Sequence, residues 1–101
     1  MRPDDDSEPP TLGWEGSRSA LVCSGDWTLA GLSLRIPQLP PGVVRDVHLD
    51  MTAVERLDTA GAVTLSRQLR ELETRGCTIH RDDVPARHQV FLELIAKHHQ
   101  E

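Results

Sequence analysis

The stretch DTAGAVTLSRQLRELETRG, residues 58–76, constrains the fold more than any other. Ala62, Leu65, Leu69 and Leu72 recur at helical spacing and make one apolar stripe. Arg67, Gln68, Arg70, Glu71 and Glu73 fall largely outside it. Asp58 is a suitable N-cap and Gly76 a suitable C-terminal stop. The helix is preceded by VVRDVHLDM and followed by CTIH, both strand-like. A strand, a helix and a second strand in that order require a crossover, which yields parallel pairing and a right-handed connection.

The remaining segments extend this unit. MRPDDDSEPP, residues 1–10, is acidic, proline-rich and nearly free of apolar side chains, so a disordered tail is expected there. Residues 11–98 form the expected domain, and 99–101 a short C-terminal tail. TLGWEG, with Leu12 and Trp14 on one face, and SALVCSG read as a hairpin turning at Gly16-Ser17. Asp26 or Thr28 caps a short helix with Leu29, Leu32, Leu34 and Ile36 as its apolar positions, stopped by Pro37. Arg45 to Leu49 is expected to be a central strand ending at Asp50. MTAVERL is expected to be a connector, in which Thr52 to Glu55 matches a capping box. CTIH places Cys77 and Ile79 inward. Asp82-Asp83 and Pro85 open a last helix with Val90, Phe91, Leu94 and Ile95 as its stripe. The expected fold is α/β: one small domain of about four strands in a mixed sheet, with helices packed on one face.

Charge and composition narrow the function. The chain has 101 residues, a net charge of −5 and a pI near 5.4, which argues against nucleic acid as its main ligand. Aromatic residues are only 3%, so the core must be built from Leu, Val, Ile and Ala. No apolar run approaches the roughly 18 residues of a membrane span. Two thiols, Cys23 and Cys77, with no secretory signal pattern before them, imply reduced cysteines in a cytoplasmic setting. His48, His80, His88, His98 and His99 show no metal-binding spacing, and no nucleophile–base–acid set or phosphate-cradling loop is present in the sequence. No metal, cofactor or catalysis is therefore expected.

The start of the 58–76 helix holds the candidate site. Asp58 is explained by capping and by the helix dipole. Gly61 is not, because glycine in a first turn costs roughly 1 kcal/mol against alanine. A close approach by another backbone, tight packing against the sheet, or a partner's surface would account for it. Thr59 offers a hydroxyl at the same place. Trp27, after Gly25-Asp26, reads either as a core edge or as an exposed anchor for a partner.

These residues resemble a known family. The order β-β-α-β-α-β-α, with Asp58-Thr59-Ala60-Gly61-Ala62 entering the second helix after a strand ending VHLDM, resembles the STAS domain over residues 11–98. LVCSGDWTL, residues 21–29, is similar to the branch found in Mla-type lipid transport systems. The resemblance implies a non-catalytic protein-binding domain that docks on an ABC transporter ATPase subunit at the cytoplasmic face of the inner membrane. It implies a docking surface at Asp58, Thr59, Ala60 and Gly61, with Trp27 and Arg67 contributing. The alternative within the family is an anti-sigma-factor antagonist, in which a kinase anti-sigma factor phosphorylates Thr59. That branch usually carries Ser at the acceptor and often again at the next position. Thr59 and Ala60 fit the lipid-transport branch better. An exposed helix edge and a half-bare sheet face also allow a dimer.

Overall fold

Ala62, Leu65, Leu69 and Leu72 are all buried, so the strongest helical stripe of the sequence is the one that meets the sheet. The computed structural model describes residues 8–43 and 45–98. Its elements are β1 (Thr11–Glu15), β2 (Ala20–Trp27), α1 (Leu29–Leu34), β3 (Asp46–Leu57), α2 (Thr59–Thr74), β4 (Thr78–Asp83) and α3 (Ala86–His98). The four strands form one sheet in the order β1-β2-β3-β4. β1 is antiparallel to β2, while β2–β3 and β3–β4 are parallel, so both crossovers carry a helix. The fold is a small single α/β domain with a mixed sheet.

Register explains where the core sits. Leu12 pairs with Cys23, Trp14 with Leu21, Leu21 with Leu49, and Val47 with Ile79. Period-two alternation puts these side chains on one face. α2 crosses that face in contact with β2, β3 and β4, while α1 and α3 flank it. On the other face, the His48 and His80 rings stack with centroids 4.7 Å apart. Asp46 lies 3.4 Å from His80 Nε2 and Asp82 lies 3.7 Å from His48 Nδ1.

Several boundaries differ from the sequence expectation, each through a non-local interaction. MTAVERL is not a connector. It continues β3 to Leu57, paired with β2 through Ala53, Val54, Arg56 and Leu57. Thr52 does not cap a helix. Its amide and hydroxyl both donate to Asp50 Oδ1, at 3.0 and 2.7 Å, beside an irregularity in the ladder. The hairpin turn spans four residues, 16–19, with Ser19 in the left-handed region at φ 51°. Glu8–Pro10 belong to the fold rather than to a tail. Pro10 is buried, and the Glu8 carbonyl accepts the Asp26 amide at 2.9 Å. The other expected tail residues, 1–7 and 99–101, lie outside the described residues.

The last two elements are shifted as well. β4 runs on through Asp82-Asp83, and α3 starts at Ala86 after Pro85, whose carbonyl accepts the His88 and Gln89 amides. Of the expected stripe, Ile95 is buried and Phe91 partly covered, but Val90 and Leu94 are exposed, and His88 and Leu92 complete the buried face of α3. His88 lies on this buried face, with its ring bonded to the Val54 backbone and Nε2 buried without a partner among the described residues.

Burial and then the nearby Arg87 charge hold the His88 pKa below its ordinary 6.5, against the Val54 bond. The unfolded chain therefore takes up this proton more readily than the folded one. The stabilising preference for neutral His88 is complete above pH about 6.5 and is lost as pH falls toward the lowered folded value. Urea denaturation across this range should show stability falling with acidification. His88→Leu should be less stable at pH 8, because the Val54 carbonyl loses its donor, and should show a shallower acid decline.

Candidate functional site

Three consecutive residues at the end of β2 and four at the head of α2 make the junction. β2 ends in Asp26 and Trp27, and Thr28 then caps α1, its hydroxyl accepting the Gly31 amide at 3.4 Å. Asp26 is fully buried. Its carboxylate accepts the Thr28 hydroxyl at 2.8 Å and the Arg56 guanidinium at 2.7 Å. A buried carboxylate needs such partners to offset its lost hydration. This pair fixes the end of β2 against β3.

Asp58 joins the two helices. Its Oδ1 accepts the Gly61 amide at 3.0 Å, capping α2. Its Oδ2 accepts the Leu29 amide at 3.0 Å, at the first residue of α1. One carboxylate thus satisfies orphan donors of both helices and sits at the positive end of the α2 dipole. The Asp58 amide itself donates to the Trp27 carbonyl at 3.2 Å.

Gly61 is explained by the same approach. A Cβ built there would lie 1.7 Å from the Trp27 carbonyl oxygen. In α1, a Cβ at Gly31 would lie 1.9 Å from the Asp26 carbonyl oxygen. Both helices therefore begin with a glycine pressed on the last carbonyls of β2. Of the readings open for Gly61, close packing on the sheet end is the one that the geometry accounts for.

The expected site residues separate into two groups. Thr59 is exposed and Ala60 half-buried at the outer surface of the junction. Arg67 is exposed on α2, about 12 Å further along at 1.5 Å per residue. Asp58 and Gly61 act inward, as cap and packing surface. Trp27 is a correction: it is fully buried, and its indole Nε1 donates to the Ser24 carbonyl at 2.9 Å, so it is a core residue and not an exposed anchor.

The sequence reading missed the outer surface of α1. Leu29, Leu34 and Ile36 are exposed at 65%, 67% and 61% of their areas. The one fully buried residue of α1 is Gly31. The helix thus presents apolar side chains to solvent and a backbone to the sheet. The signal was there in the imperfect spacing of Leu29, Leu32, Leu34 and Ile36, which a helix of six residues cannot bury together.

Other reactive groups are structural. Cys23 is buried in the core, and burial raises its thiol pKa well above the ordinary value, so it stays protonated. For Asp50, burial disfavours the charge, but bonds from Thr52 and Arg18 outweigh it and hold the pKa below its ordinary value. Among the described residues no group of three or more His, Cys, Asp or Glu side chains is placed to hold a metal ion, and no helix is long and apolar enough to cross a membrane. Comparison of the chain with protein-family models, curated proteins and solved structures returned no match.

Two substitutions at the junction, Gly61→Ala and Asp58→Ala, and one control, Gly13→Ala, test this account by urea denaturation. Gly61→Ala should destabilise by about 3 kcal/mol or more, because the clash is with backbone that cannot turn aside. Gly13→Ala, where nothing lies within 4 Å of the added carbon, should change stability by no more than about 0.5 kcal/mol. Asp58→Ala should cost about 2 kcal/mol, the upper part of the range for a lost cap, because it frees amides in two helices.

Proposed function

We propose that this chain is a non-catalytic protein-binding domain of STAS type, which docks on the ATPase subunit of an Mla-type lipid ABC transport system in the cytoplasm. Its association with the membrane would be through that partner. The reading is supported by the Asp58-Thr59-Ala60-Gly61 motif at the head of a crossover helix. The observation that carries the protein-binding part is the outward apolar surface of α1, held beside Thr59 by the Asp58–Leu29 bond. Single exposed leucines are ordinary on a soluble surface. Leu29, Leu34 and Ile36, all exposed within residues 29–36, concentrate apolar surface along one short helix and its exit, which suits a partner.

A second reading follows from Thr59 itself. It is exposed, and its hydroxyl makes no hydrogen bond among the described residues. A kinase anti-sigma factor could transfer the γ-phosphoryl group of ATP to that oxygen, releasing ADP. The phosphate would add about −1.5 to −2 charges at a helix N-terminus, which the dipole tolerates. Asp58 would keep its two amide donors, so the fold would survive and a docked partner would be repelled.

The test is capture of partners from native lysate by the wild type, Thr59→Glu and Leu34→Asp, with identification by mass. An ABC ATPase held by the wild type and reduced at least tenfold by either substitution is the expected outcome. A kinase anti-sigma factor captured instead, with ATP-dependent phosphate on Thr59, would select the second reading. Equal capture of the same proteins by all three forms would contradict the placement of the surface.

A further inference from the structure

A second surface continues from Thr59 along α2. Thr59, Val63, Ser66, Arg67 and Arg70 follow at helical steps of four, three, one and three residues, which puts them on one side of the helix. The last four, with Ile95 and Ala96 of α3, line a groove of about 240 Å³ between the helices. Its floor is aliphatic, from Val63, Ile95 and Ala96. Its rim carries two guanidinium groups and one hydroxyl, and among the described residues no carboxylate lines it.

The polar groups of this groove are unspent. Arg18, Arg56 and Arg75 each hold a carboxylate at 2.7–3.3 Å. Arg67 and Arg70 make no ion pair or side-chain hydrogen bond among the described residues. Thr64 and Thr74 turn their hydroxyls back to the carbonyls of Ala60 and Arg70. Ser66 forms no such bond. In a chain of net charge −5, a groove with two unpaired arginines and no acid is a local reversal of sign.

We propose that this groove receives an acidic side chain and an adjacent aliphatic side chain from a partner protein. The carboxylate sits between Arg67 and Arg70, and the aliphatic group lies on Val63, Ile95 and Ala96. The inference rests on the protein-binding reading and extends that surface along α2. A groove of about 240 Å³, open to solvent between two helices, has room for two side chains of a docked protein surface. Charge selects a protein over an anionic membrane. A flat anionic plane also faces the acidic side chains around the groove in a chain of net charge −5, whereas one projecting carboxylate meets the two arginines alone. Arginine pairs suit a planar carboxylate through two-point bonding.

The test uses the full chain, labelled with ¹⁵N, and two capped peptides, one alternating leucine with glutamate and the other leucine with glutamine. The glutamate peptide should move the backbone signals of Ser66, Arg70 and Ile95. Replacing it by the glutamine peptide, or combining Arg67→Gln with Arg70→Gln, should weaken binding by about tenfold or more. Arg67→Lys with Arg70→Lys should restore part of it, and an unchanged melting temperature in both double variants excludes an effect on folding. Equal binding of the two peptides, or no movement at these three residues, overturns the proposal. So does movement caused by phosphatidylglycerol-containing vesicles and not by the glutamate peptide, which would make the ligand an anionic lipid. Partner capture by the wild type without peptide binding overturns the groove and leaves the protein-binding reading intact. Peptide binding without capture of an ABC ATPase overturns that choice of partner and leaves the groove intact.

Discussion

The carboxylate of Asp58 is the point on which the junction depends. It accepts one amide from α2 and one from α1, while its own amide reaches back to the last carbonyl of β2. Each bond is modest by itself, because folding exchanges it for a bond to water. Together they leave few ways to place two helix starts relative to a strand end. Gly31 and Gly61 complete the constraint, because only a residue without a side chain lets either helix rest on those carbonyls. The buried Asp26 carboxylate, bonded to Thr28 and to the exposed Arg56, holds the strand end that carries these carbonyls.

This construction has a consequence for the surface. A helix anchored through its backbone does not need its leucines for the core. α1 therefore turns Leu29 and Leu34 outward at little cost to its attachment, and Asp58 holds the Leu29 end of the helix next to the start of α2. The core is supplied elsewhere, by α2 against β2, β3 and β4 and by Leu92 and Ile95 of α3. Division of labour between an anchored scaffold and a displayed patch is what a binding domain requires, since a rigid surface loses less entropy on docking.

How much of this was legible in the sequence varied with the range of the interactions. α2 was read correctly because its stripe, Asp58 cap and Gly76 stop are all local and agree. β3 was cut short because Thr52 to Glu55 satisfies a local capping pattern, whereas its pairing to β2 is visible only in three dimensions. In α3, Ile95 and Phe91 of the expected stripe reach the core, but Val90 and Leu94 do not, because the buried face also takes in His88, a residue type that sequence patterning leaves to the surface, bonded to the distant Val54 backbone. The candidate site was legible at Asp58 and Gly61, whose residue types are unusual for a helix start. Trp27 and the α1 leucines were misjudged, because apolar side chains do not announce on which side of a short helix or strand end they lie.

The central claim is that the outer surface of α1 and the start of α2 face a partner protein. The most direct measurement is photo-crosslinking in cells from a benzoylphenylalanine placed at exposed Ser33 of α1, compared with one at exposed Thr78 of β4. The account predicts a specific adduct with a nucleotide-binding protein from position 33 and none from position 78. An adduct from position 78 alone would put the interface on the sheet and contradict the account.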